Sequence, residues 1–245
     1  MKMNKIQTVF VDCDGVLYDV DFLAYSEIEN AGRRAGEALG LDWTNFKKVH
    51  KDLKKKGFRG FYNTVLELCR THGVSFEKLA QDMVDILDYS RIQPNPKLLT
   101  YLQQVSQMRK LFIFTNNTRP HLEKIFNRLF GCTIDQSRLA VITAENTLEN
   151  GYFYTKKMTG VFSKWCQKIK TTPERTLMLD DSEDVIEAAK KEGLQFIKIE
   201  NADMTEKVLK NLNKIENNLL NIMKRNSNLE SAKKRSLWKN NSLNR

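Results

Sequence analysis

Short apolar runs rich in β-branched and aromatic residues recur along the chain. The first is Ile-Gln-Thr-Val-Phe-Val at 6–11, followed by LFIFT at 111–115, LAVIT at 139–143, TLMLD at 176–180 and LQFIKI at 194–199. Each has strand length and reads as a buried strand. Between several of them the apolar positions change to helical spacing, at 94–108, 120–129, 161–170 and 184–191. Pro120 suits a first helical turn, where a missing N–H costs nothing. Strands alternating with helices predict an α/β fold built on a Rossmann-like parallel sheet.

Residues 21–92 follow a different rule. No strand pattern occurs there, and four helical patterns do, at 22–39, 44–56, 61–71 and 76–90. Gly40, Gly57 and Gly73 stand at the breaks, as glycines that end helices do. The stretch reads as a helical insert within the α/β body, which resumes at the Pro-Asn-Pro of 94–96. The expected organisation is therefore a body of residues 1–20 and 93–202 with an all-helical insert of 21–92. A C-terminal helix is expected over 203–224, because Val208, Leu212, Ile215, Leu219 and Ile222 form one apolar stripe. Three or four heptads would be needed for a coiled coil, so the stripe reads as a helix packed on its own domain. Residues 225–245 read as a basic, disordered tail.

Composition narrows the class. Apolar residues make up 41% of the 245, enough for a substantial core. No run of 18 apolar residues is present, which removes a membrane span from the reading. The opening apolar run stops at Asp12 and is too short for a signal sequence. Cys13, Cys69, Cys132 and Cys166 show no CxxC spacing. Zinc and dithiol chemistry therefore lack support, and scattered thiols fit a cytoplasmic location. The formal charge is +10, of which residues 203–245 contribute +6 through ten Lys or Arg against four Asp or Glu. A mildly basic body attracts anionic substrates. The tail KKRSLWKNNSLNR could bind nucleic acid or an anionic membrane, although a solvated tail is the ordinary reading. The pattern leaves monomer and dimer open.

Four elements at strand ends carry candidate chemistry, where ligands of open parallel sheets bind. Asp12 and Asp14 flank Cys13 and precede Gly15, which permits a sharp turn. Two acids so placed suit a nucleophile and a proton donor, or simply a solvated turn. Thr115 and Asn116 could hold phosphoryl oxygens or cap a helix. A lysine at 156 or 157 could neutralise a carboxylate and a phosphate together. Asp180 and Asp181 could bind a hard cation through oxygen, or cap the helix that follows.

Taken together, DCDGVLYD, FIFTNN, Lys156 and LDDS resemble the four motifs of the haloacid dehalogenase-like superfamily over residues 6–199. The resemblance implies a phosphatase that uses Mg²⁺ and an aspartyl-phosphate. Asp12 is then the nucleophile and Asp14 the acid and base, with Thr115 and Lys156 stabilising the phosphoryl group. Asp12, the Asp14 backbone carbonyl, Asp180 and Asp181 become the metal ligands. Asp14 separates the superfamily's phosphatases and phosphotransferases from its dehalogenases. Lys156 is preferred over Lys157 because Phe162 follows six residues later and Pro173-Glu174 precedes the next strand, as in family members. Lys157 then replaces the usual proline. Val185 stands where many members carry an acid, so Asp184, one place early, is left out of the ligand set. The insert corresponds to the family's helical cap.

KKGFRGFYN and LDDSEDVIEAAKKEG resemble stretches of yeast-type pyrimidine 5′-nucleotidases. That resemblance implies a small phosphorylated metabolite, a nucleoside 5′-monophosphate first, with Arg59 and Asn116 as substrate contacts. A cap-surface role for Arg59 is equally open. The same aspartate chemistry also serves phosphotransferases such as phosphosugar mutases.

Overall fold

The computed structural model describes residues 5–19, 21 and 25–214. Its centre is a five-stranded sheet in the order β3-β2-β1-β6-β7. These strands are β1 (Thr8–Val11), β2 (Lys110–Phe114), β3 (Ala140–Ile142), β6 (Thr176–Asp180) and β7 (Gln195–Lys198). Every pairing among them is parallel. The fold is thus an α/β core with a Rossmann-like parallel sheet. β1 and β6 are buried at every position, as expected of central strands covered by helices on both faces.

Alternation along β1 feeds two separate cores. Val9 and Val11 point to the side where Leu98, Leu102, Leu122 and Ile125 pack. Those residues belong to α5 (Pro96–Met108) and α6 (Arg119–Phe130). Phe10 points the other way, into Phe114, Phe162, Trp165 and Met178. That face is covered by α8 (Val161–Lys168) and α9 (Glu183–Lys191). The proline-rich return at 94–96 works as a helix start: Asn95 caps Leu98 N–H at 3.0 Å and Pro96 opens α5.

Between β1 and α5 lie α1 (Tyr25–Ala38), α2 (Phe46–Lys55), α3 (Phe61–His72) and α4 (Phe76–Ile86). They share a core of their own built on Leu41, Phe46, Val65, Leu68, Leu79 and Met83. Gly73 closes α3 with φ +67°, where a residue with a Cβ would be strained. The fourth helix stops at Ile86 rather than at 90, because Asp88 accepts Ser90 N–H at 2.8 Å and turns the chain.

A short α-helix and a hairpin fall outside the sequence reading. The helix is the single turn α7 (Ile134–Ser137). The hairpin pairs β4 (Leu148–Glu149) with β5 (Tyr152–Phe153). Asn150 and Gly151 at its tip have φ +49° and +79°, the turn that Asn-Gly favours. Its Phe153 is buried among the residues of α3 and α4. At the C-terminus, α10 (Ala202–Lys210) buries Val208 and Leu209, and Leu212 joins the same core. The rest of the expected helix, to 224, and the tail of 225–245 lie outside the described residues. Among the described residues no helix is long and apolar enough to cross a membrane.

Candidate active site

The strand order makes a switch point. From β1 the chain moves outward through β2 and β3 on one side, and through β6 and β7 on the other. Loops at the C-terminal ends of β1 and β6 therefore diverge and leave a crevice. Register places the acids in it: Val11 is level with Ile113 and Leu179, so Asp12 and Asp180 emerge side by side.

Lys156 enters this acidic crevice from the loop after β5. Its Nζ lies 2.6 Å from Asp12 Oδ2 and 2.6 Å from Asp180 Oδ2. Asp12 Oδ1 accepts Cys13 N–H at 2.7 Å, and Asp180 Oδ1 accepts Ser182 N–H at 2.9 Å. Lys156 is 1% exposed, so its full charge is buried between the two acids. Burial opposes that charge, but Asp12 and Asp180 outweigh it and raise the lysine above its ordinary range. Lys157 turns outward and pairs with Asp184 at 3.3 Å. The adjacent lysines thus separate cleanly in space.

Gly15 brings the two strand-end loops into contact. Its φ is +70°, and a Cβ there would lie 2.5 Å from Asp181 Oδ2. Asp12, Asp180 and Asp181 can each present a carboxylate oxygen within 4.8 Å of the others. Three carboxylates against one lysine leave an excess of negative charge. Burial, and then Asp180, push Asp12 well above the usual carboxylate range, with Lys156 pulling the other way. Asp181 is raised too, by burial and by Asp180. An all-oxygen donor set with uncompensated charge fits a hard divalent cation. Asp184 lies away from this set, on the exposed face of α9.

Asp14 faces a different space. One of its oxygens accepts the Tyr18 hydroxyl, and the other accepts Asn117 Nδ2 at 2.8 Å. That second bond ties the β2 loop to the β1 loop, and Asn117 N–H donates to Thr115 Oγ1 at 3.1 Å within the β2 loop. Asn116 Oδ1 accepts the backbone N–H of Lys156 at 3.1 Å, so this side chain positions the lysine loop. Asp14, Asn116 and Asn117 line a cavity of about 200 Å³ whose other walls include Tyr25, Phe61, Tyr62 and Phe153. Arg59 does not line it. That arginine borders an adjoining cleft with Lys157, Asp184 and Lys191, while the next residue, Gly60, lines the cavity.

Cys13 is fully buried, and burial followed by Asp14 and Asp12 pushes its thiol well up. It is a packed thiol rather than a nucleophile. All four cysteines are free. The sequence reading missed Tyr18 and Asn117, although Asn117 lies only two residues after Thr115 in a motif already singled out.

No curated protein matches the chain. Among solved structures, a CbbY variant from Rhodobacter sphaeroides in complex with xylulose-(1,5)bisphosphate is 17% identical. The match covers 79% of this chain and 85% of that one, with a TM-score of 0.54. CbbY in complex with phosphate gives 16% identity over 79% and 85%, with a TM-score of 0.52. The putative HAD-hydrolase YfnB from Bacillus subtilis, bound to magnesium, gives 16% identity over 84% and 100%, with a TM-score of 0.50. These likenesses are of fold. The family model of the haloacid dehalogenase-like hydrolases matches residues 6–193, and the chain belongs to that family.

Proposed function

We propose that this hydrolase cleaves small phosphate monoesters through an aspartyl-phosphate on Asp12, with Mg²⁺ as cofactor. The observation that carries the reading is the pairing of two differently placed acids. Asp12 lies beside a buried lysine and two further carboxylates, while Asp14 faces an adjoining cavity with both oxygens hydrogen-bonded.

In the first step a carboxylate oxygen of Asp12 forms a bond to phosphorus, and the bond from phosphorus to the ester oxygen breaks. Asp14 gives a proton to that oxygen, and the alcohol leaves. In the second step a water attacks phosphorus, Asp14 takes back a proton, and inorganic phosphate and free Asp12 result. Acid–base assistance of this kind contributes about 10²- to 10⁴-fold. Lys156 offsets charge on Asp12 throughout, and the Thr115 loop holds Asn117 against Asp14. Asp12, Asp180 and Asp181, with the Asp14 backbone carbonyl, would hold Mg²⁺, which supplies charge neutralisation between the nucleophile and the phosphate.

The helices of residues 21–92 act in this reading as a cap that meets the leaving group. The expectation of a nucleoside 5′-monophosphate rests on the sequence motifs; Arg59 would have to reach over Gly60 to touch it. The test is phosphate release from a panel of monoesters with Mg²⁺ or chelator, beside Asp12→Asn. Release that needs Mg²⁺ and vanishes in the variant is expected. A folded wild-type protein that releases phosphate from no monoester would sink the proposal.

A further inference from the structure

Phosphoryl chemistry requires nothing of the cavity wall opposite Asp14, yet that wall has a marked character. Its larger side chains are Tyr25 and Ile28 of α1, Phe61 and Tyr62 of α3, and Phe153 of β5. No Lys, Arg or His is among the described residues that line it. The aromatic rings hold one another in place. Phe61 meets Tyr25 edge-on at 6.3 Å and Tyr62 edge-on at 5.4 Å. Phe61 and Phe153 are nearly fully buried, whereas Tyr25 is 58% exposed and lines the same cavity. One aromatic ring in this wall is thus left largely uncovered beside a space that opens toward Asp14.

Electrostatics excludes one class of occupant. A second phosphate, or a carboxylate, would lose its water there without a cationic partner. It would also stand near the carboxylate of Asp14. Size excludes another class: about 200 Å³ lies below the usual range of ligand pockets, which starts at roughly 300 Å³. An uncharged planar ring meets both limits and gains offset or edge contacts with aromatic walls.

We infer that this cavity binds an uncharged leaving group that carries a planar ring through Tyr25, Phe61 and Phe153, so the enzyme selects such monoesters over bisphosphates and over phosphates of sugars that carry no planar ring. The inference rests on the phosphatase reading of the same site. Tyr25 is the specificity-determining residue most open to test, because its exposure lets it change without disturbing a core.

Three compounds share one reacting ester and isolate the leaving group: uridine 5′-monophosphate, ribose 5-phosphate and uridine 3′,5′-bisphosphate. Their kcat/KM values would be compared in the wild type, Tyr25→Ala and Tyr25→Phe, with p-nitrophenyl phosphate as a general reporter. The monophosphate is expected to exceed ribose 5-phosphate, and also the bisphosphate, by about 10-fold or more, the scale of apolar discrimination. The ratio of the first two should fall to within about threefold in Tyr25→Ala and return in Tyr25→Phe. Equal rates on the uridine and ribose esters, a preference for the bisphosphate, or a ratio indifferent to Tyr25→Ala would each overturn the inference while the hydrolase reading stands. Failure to release phosphate from all four compounds would overturn both.

Discussion

Replacing Lys156 by Met tests whether the acidic crevice is held together by one buried cation. The side chain keeps a similar length, but Asp12 and Asp180, 8% and 0% exposed, lose the charge they share. Removing one partner of a buried ion pair costs about 3–5 kcal/mol, since the remaining charge stays desolvated. For a chain of this size that corresponds to a fall in Tm of about 6–20 °C. The pH dependence has a definite sign. Asp12 already has a folded-state pKa raised above its unfolded value, by burial first and Asp180 second. A group raised in this way stabilises the fold at low pH and loses that contribution as pH rises through its folded value. Without Lys156, the charge and hydrogen bond that pull Asp12 downward are gone, and the loss extends to higher pH. The Tm deficit of Lys156→Met should therefore be largest near pH 8 and shrink toward pH 5. Thermal unfolding by circular dichroism, in chelator so that no cation substitutes for the lysine, measures it. A deficit below about 2 °C at pH 8, or one that grows on acidification, would refute the reasoning.

Three further outcomes follow from single contacts. Gly15→Ala places a Cβ 2.5 Å from Asp181 Oδ2 at a φ of +70°, so Mg²⁺ affinity measured by calorimetry should drop and stability should fall by about 1–2 kcal/mol from backbone strain. Tyr18→Phe frees one oxygen of Asp14. It should slow alkyl phosphates by about 10-fold or more while sparing p-nitrophenyl phosphate, whose leaving group needs no proton; equal slowing of both would assign Tyr18 a purely structural role. Asn63→Ala removes bonds to Arg59 O at 2.9 Å, Phe153 O at 2.8 Å and Phe153 N–H at 2.7 Å. Unpaired buried backbone at Phe153 should cost about 1–3 kcal/mol in urea unfolding, and an unchanged midpoint would show that water replaces the amide.

Much of this arrangement is legible in the sequence, and the parts that are not share a cause. β1 and β6 were legible because a strand buried on both faces is an unbroken apolar run, and a charged residue after such a run must sit at the sheet's end. Asp12 and Asp180 therefore declared their position, though not their distance from each other, which depends on β1 pairing with β6. Helical periodicity found α1 to α4 but overran α4, since Leu87 is as apolar as the helix residues before it and only the Asp88 turn ends the run. The β4–β5 hairpin escaped because its strands have two residues each, too few for any alternation to show. Lys156 and Lys157 carry the same side chain, so residue type could not separate them; only the spacing to Phe162 favoured Lys156, and the loop geometry buries that one and turns Lys157 outward. Periodicity reports that Phe61 faces inward; it is silent on whether the ring meets a core or a cavity. The aromatic wall is assembled from α1, α3 and β5, which lie far apart in the sequence, so no one segment's pattern could disclose it.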